Sequence, residues 1–265
     1  MKFLFNAGMV AVAVLFARSV EAQTVTNAAD NAGNYSSWPQ AANNGSGFGS
    51  WSYNNTTPNG GFSGQFLGGS PNINSGSGNA FGFYANNGAS AMSSAILPFS
   101  GGSLTAGQTF SIQMQNGNIT DNGGRVGFSL QNNSAVDLFQ FYFNGGSSDY
   151  YINVSGTQVD TGAGFTSGPM TLQFSQGAGN AWAFSLFQGN TLAAALSSVS
   201  TGDSLANNNI SRVDLFSLNG GSSRTLGDNA NLYFNNVMIT TVPEPTSVAL
   251  AASGLALLYV IRRRR

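Results

Sequence analysis

Asp137, Asp149 and Asp214 each lie within or beside a run of alternating apolar residues. Two carboxyls held at a suitable separation can serve as acid and base toward a glycoside. Little else in the way of covalent chemistry is open to residues 23–240, which contain no histidine, cysteine, lysine or glutamate. Without histidine there is no usual general base and no Ser-His-Asp triad. Without cysteine there is no thiolate nucleophile and no thiolate metal site. Asp121, Asp149, Asp160, Asp203 and Asp228 stand beside or near glycine, asparagine or serine, and aspartate is common there because its side chain caps the local backbone. The inventory argues against an enzyme. Asp121 and Asp228 are each followed by asparagine, and with loop carbonyls they would offer the hard oxygens that calcium prefers. No Asp-x-Asp-x-Asp-Gly loop is present to sharpen that, and turn formation alone explains the same residues, so no cofactor is expected, with calcium at these loops the alternative.

Sugar binding needs an aromatic face beside amide or carboxylate groups. Trp38, Trp51, Tyr53, Tyr142 and Trp182 are available, but Asp149-Tyr150-Tyr151 is the most site-like group. Neighbours on a strand face opposite ways, so one of the two tyrosines is expected to face out. Trp182 falls in register with Phe184 and Leu186 and reads as core. Residues 23–240 carry three arginines against eight aspartates. Three scattered arginines cannot form the basic stripe that nucleic acid requires, so no nucleic-acid partner is expected.

These residues must be positioned by strands. Phe110, Ile112 and Met114 alternate with Ser111, Gln113 and Gln115; Phe139, Phe141 and Phe143 alternate with Leu138, Gln140 and Tyr142. The same period of two recurs at Val126–Leu130, Leu172–Phe174, Trp182–Leu186, Val213–Leu215 and Leu232–Phe234. It marks strands with one face in a core. Strands are predicted at 47–54, 62–67, 80–85, 91–97, 108–116, 125–131, 137–143, 149–154, 170–176, 181–187 and 230–240. Asn122-Gly123-Gly124, Asn144-Gly145-Gly146 and Asn219-Gly220-Gly221 punctuate them, supplying the positive φ of tight turns. Residues 191–200 look mildly helical, with loop or strand as alternatives. No repeat of 20–50 residues is present, which disfavours a propeller or solenoid. The fold class is all-β, an antiparallel sandwich of jelly-roll type with two aromatic faces packed together.

The ends differ from this body. Residues 1–22 read as a signal peptide: Lys2, an apolar run from Ala7 to Ala17, and a cleavage site between Ala22 and Gln23 for signal peptidase. Residues 241–265 read as a second membrane element. Val242-Pro243-Glu244-Pro245 comes first, then an uncharged stretch over 246–261 near the lower limit for a transmembrane helix, then Arg262, Arg263, Arg264 and Arg265. The arginines would stay on the cytoplasmic side and leave residues 23–240 outside. Both ends thus predict one topology.

Pro243-Glu244-Pro245, the short apolar segment and the terminal arginines together resemble the PEP-CTERM sorting family. The resemblance implies that an exosortase recognises the tail and cleaves near Pro245. The chain would pass through an intermediate held in the inner membrane by its C-terminal helix, then reach the cell surface or an exopolysaccharide matrix. Gly47-Phe48-Gly49-Ser50-Trp51, Ala80-Phe81-Gly82-Phe83-Tyr84-Ala85, Gly127–Gln131 and Phe141–Gly146 resemble concanavalin-like, jelly-roll ectodomains. The glutamate pair that glycosidases of that fold carry on one strand is missing here. The expected function is a structural or adhesive component of the surface or biofilm matrix. The alternative is a displayed carbohydrate-binding module, with calcium as an optional partner. A glycan-active enzyme or an ice-binding protein is the remoter reading; ice binding favours regular threonine arrays, and adjacent threonines occur here only at Thr56-Thr57 and Thr240-Thr241.

Overall fold

A computed structural model describes residues 23–58, 61–86, 90–121, 123–221 and 230–242. The signal peptide, the Pro243–Pro245 motif, the apolar stretch 246–261 and the four terminal arginines lie outside the described residues. Among the described residues no helix is long and apolar enough to cross a membrane. Thr26–Thr241 forms one compact unit of the chain.

The strands are β1 (Val25–Asp30), β2 (Ser52–Thr56), β3 (Phe62–Gly68), β4 (Ala80–Asn86), β5 (Met92–Pro98), β6 (Gln108–Asn116), β7 (Arg125–Gln131) and β8 (Asp137–Asn144). They continue as β9 (Asp149–Val154), β10 (Thr157–Gly164), β11 (Met170–Gln176), β12 (Trp182–Gln188) and β13 (Thr191–Ser197). A single helical turn, α1 (Ser198–Thr201), precedes β14 (Arg212–Leu218) and β15 (Leu232–Thr241). One sheet is eight-stranded, ordered β13-β12-β11-β6-β15-β4-β3 with β1 against β15; the other is seven-stranded, ordered β10-β9-β8-β7-β14-β5-β2. Neighbours along both paths run antiparallel.

The alternating phenylalanines close the sandwich. Phe110 of β6 meets Phe128 of β7 with ring centroids 5.7 Å apart. Phe139 of β8 meets Phe174 at 4.8 Å and Phe184 at 5.2 Å across the layer. Each of these rings is essentially without solvent exposure, so burial and ring-edge contacts between the two sheets supply the main favourable term. Trp182 is buried beside Phe139, as its register predicts.

Two strands, β1 and β10, fall outside the predicted set, and a third takes the strand alternative left open for it. Residues 191–197 form an edge strand on β12, and the helical expectation is met only by the single turn of α1, which ends at Gly202 with φ 78°. β10 follows β9 through Ser155-Gly156, both at positive φ (49° and 100°). This is the two-residue geometry whose twist suits a hairpin.

Candidate functional site

The seven-stranded sheet turns a polar face outward, and its cross-strand register assembles one cluster there. Arg125, Gly127, Ser129 and Gln131 share the outer face of β7, with Gln140 and Tyr142 beside them on β8 and Asp214 and Phe216 on β14. Tyr142 pairs in register with Tyr151 of β9, which pairs with Asp160 of β10. Gly127 sits between Tyr142 and Phe216 in this row. It cannot be anything larger: a β-carbon there would fall 2.0 Å from the Phe141 carbonyl oxygen. The gap leaves room for the Arg125 side chain, whose guanidinium carbon lies 3.6 Å from the Tyr142 ring centre and 5.9 Å from that of Phe216. The planar cation over a ring face is a favourable contact.

Tyr151 stacks on Tyr142, centroids 5.9 Å apart and planes 24° from parallel. Tyr142 is only 2 % exposed, covered by this stack and by Arg125. Burial raises the Tyr142 hydroxyl pKa; the Arg125 charge opposes the rise and Tyr151 adds to it. Tyr151 is half-buried and presents the accessible ring.

A hydrogen-bonded chain continues from Arg125 across three strands. Arg125 Nη2 donates to Gln140 Oε1 (3.2 Å), and Gln140 Nε2 donates to Ser129 Oγ (2.9 Å) and to Asp137 Oδ2 (2.8 Å). Gln131 Nε2 donates to Asp137 Oδ1 (2.8 Å), and Arg212 Nε donates to Gln131 Oε1 (2.9 Å). Two guanidinium groups are thereby tied through glutamines to one carboxylate, which fixes every side chain on the path. Asp214 stands directly opposite Ser129 in the same face, and its Oδ1 is buried with no hydrogen-bond partner. Burial is the main cause that lifts its pKa to about 6; Asp137 pushes the same way, while Ser94 and Arg212 pull it down.

The residues predicted from sequence are distributed differently. Tyr150 is a correction: it points into the core, fully buried, donating from its hydroxyl to Asn116 Oδ1 (2.9 Å) and the Thr166 carbonyl (3.0 Å). Its ring lies between Phe141 and Phe143, so it offers no face to a ligand. Tyr151 and Asp149 do lie on the outer side, with Asp149 accepting from Ser148 Oγ at 2.6 Å. Trp38 and Trp51 are core residues too, at 8 % and 1 % exposure. Asp121 is exposed, close to Gly146 of the next turn, and Asp228 lies outside the described residues. Among the described residues no three acidic side chains gather to hold a metal ion. Arg125, Gln140, Tyr142 and Asp214 form a group that sequence spacing does not reveal, because only strand register brings them together.

A cleft of about 370 Å³ opens on the outer face of the eight-stranded sheet, between Asn72, Gln115, Asn118, Ser167, Asn231 and Tyr233. Its lining carries no charged side chain. Gln115 anchors two of its walls, accepting from the Asn72 amide (3.0 Å) and donating to the Ser167 carbonyl (2.8 Å).

Residues 241–265 match the PEP-CTERM protein-sorting motif. The PEP-CTERM tail marks an exported chain, sorted at the membrane toward the cell surface by an exosortase. It speaks for those residues and leaves the body unassigned. No curated protein matches the sequence. Among solved structures, the chain is similar to an endo-beta-1,4-glucuronan lyase from the fungus Trichoderma reesei, at 10% identity over 73% of this chain and 98% of that one, with a TM-score of 0.45. A cellulose induced protein is similar at 8% identity over 71% and 90%, TM-score 0.47. A carbohydrate esterase from a Shiga toxin-encoding bacteriophage is similar at 13% identity over 83% and 99%, TM-score 0.46. Likeness at this level carries no argument about the body and assigns it no activity.

Proposed function

We propose that this protein is a surface or matrix component, delivered by its PEP-CTERM tail, whose β body holds extracellular glycan on the outer face of the seven-stranded sheet. The carrying observation is Tyr151, an accessible ring locked by its stack on Tyr142 under Arg125. Pre-positioned rings with carboxylate, amide and guanidinium groups around them suit a polyhydroxylated ring, which needs an apolar platform and many directed hydrogen bonds. Asp160, opposite Tyr151 on β10, and Asn153, two places along the same face of β9, provide the latter. The reading is one of binding without turnover, in keeping with a body that has no histidine, cysteine or glutamate.

The test is a glycan-array and calorimetric comparison of the full-length protein in detergent with its Tyr151→Ala variant. The assay is run with calcium and with chelator, since Asp121 and Asp228 carry the oxygens a loop calcium would use. Tyr151→Ala is expected to weaken binding about tenfold, ~1.4 kcal/mol. Unchanged affinity would remove this face from the proposal. Mass spectrometry of the protein from its host tests delivery: the chain should begin at Gln23 and lack Arg262–Arg265, and unprocessed ends would overturn that part.

A second reading has one observation in its favour. Asp214, with a bare oxygen and a pKa lifted to about 6, has the character of a general acid. Release of reducing ends from a bound polysaccharide, lost in Asp214→Asn, would favour chemistry over holding.

A further inference from the structure

We infer that the cleft on the eight-stranded sheet is a second glycan site, selective for uncharged sugars, so that one body can engage two glycan chains on opposite faces. The inference rests on the proposed glycan role but uses different residues from the Tyr151 face. The cleft lies outside β6 and β15, where Gln115 and Tyr233 pair directly in register and face away from the aromatic layer. Tyr233 lines it at only 3 % exposure, its ring held edge-on against Phe66 with centroids 5.9 Å apart. Asn231 Nδ2 donates to the Tyr233 hydroxyl at 3.3 Å. Gln115 is only 4 % exposed, and its carboxamide is set by the two backbone bonds that hold the Asn72 and Ser167 loops in place. These groups are a fixed frame. Asn72 and Asn118 are different: both are exposed at the rim, with carboxamides free to turn toward whatever enters.

The ligand class follows from the lining. Carboxamides both donate and accept, which is what a sugar hydroxyl demands. No lining side chain is ionised, so a uronate or sulfate would lose its hydration there without a counter-charge, at a net cost. The volume, about 370 Å³, is near the lower end of small-ligand pockets, ~300–1,000 Å³, and suits a chain end or a short stretch of chain. The seven-stranded face is open and charged by contrast, and in a two-sheet sandwich the two outer faces point in opposite directions. A body with one site on each would link neighbouring polysaccharide chains, and linked sites gain avidity without new contacts.

The experiment uses full-length protein in detergent with cellohexaose, maltohexaose and mannohexaose as neutral probes and oligogalacturonate as the charged one. At least one neutral probe should occupy the cleft. Asn72→Ala/Asn118→Ala should abolish that binding while leaving the Tyr151-dependent binding intact. Asn118→Trp, which fills the cleft, should do the same. Polysaccharide mixed with the wild-type protein should gel or cloud, and either the double variant or Tyr151→Ala alone should prevent it. Neutral-sugar binding that survives both cleft variants overturns the second site while leaving the Tyr151 face standing. Binding lost in the cleft variants and unaffected by Tyr151→Ala upholds the cleft and overturns the other face. No binding of any probe overturns both.

Discussion

Asp30 and Asp214 are both carboxyls withdrawn from water, and both have pKa values raised chiefly by burial, yet their surroundings are opposite. Asp30, 2 % exposed at the end of β1, is fully dressed. Its Oδ2 accepts from the Tyr35 hydroxyl (2.7 Å) and Trp51 Nε1 (2.9 Å), and its Oδ1 accepts from the Asn31 amide (2.8 Å) and Asn34 Nδ2 (3.3 Å). The Tyr35 hydroxyl in turn accepts from the Asn44 amide. Around them Trp38 and Trp51 pack at right angles, 5.1 Å apart, and Phe81 lies against both. Asp214 has a bare oxygen on a sheet face among side chains held by their own hydrogen bonds. The difference teaches that a raised pKa alone does not mark a functional site. A buried acid whose lone pairs are all occupied is a fastening, whereas one left with a buried, unused acceptor is not.

Asp30→Ala is the strongest test of the first half. It strands the Tyr35 hydroxyl and the Trp51 indole N–H in a buried region, where each orphaned group carries a desolvation penalty, while the Asn31 and Asn34 donors can turn to water. A loss of ~3 kcal/mol in urea unfolding is expected, with near-ultraviolet ellipticity of the Trp38–Trp51 pair changed. Little loss would mean that the node is not the fastening described. The Tyr151 face, built on other strands, should keep its glycan affinity in whatever fraction stays folded.

The contrast was not legible in the sequence, although the sandwich was. Phe139, Phe141 and Phe143 announce β8 because large apolar residues alternate with polar ones, and so do the runs in β6, β7, β11 and β12. β10 escapes because its inward residues include Thr161 and Ala163, too small to stand out from the threonines and glycines beside them. β13 escapes because Leu192-Ala193-Ala194-Ala195-Leu196 has helix-forming composition, which pairing along β12 overrides. The site shows the same limit. Alternation sends Tyr150 and Tyr151 to opposite faces, but it does not say which of the two faces out. Arg125 and Tyr142 are seventeen positions apart and meet through register, which no local pattern encodes. Three of the four donors on Asp30 lie within five residues of it, but the set is completed by Trp51, twenty-one positions on, which only the fold brings back.

Asp214→Asn probes the other half, with a smaller effect and the opposite sign. The folded-state pKa, about 6, lies above the ordinary aspartate value of 3.8. Such an acid prefers to fold protonated. Its favourable contribution is therefore complete below about pH 4, declines as pH rises toward 6, and is gone above that. An asparagine has no proton to lose, so the variant should not share the decline. At pH 7 it should be more stable than the wild type by on the order of 1 kcal/mol, with the gap shrinking toward pH 4. Urea midpoints at half-unit steps from pH 4 to 7.5 would show it. A gap that does not change with pH would mean that Asp214 keeps an ordinary carboxyl pKa. Its bare oxygen would then be no different in kind from the satisfied ones of Asp30, and the distinction between a fastening and an acid with an unused acceptor would fail at its second member.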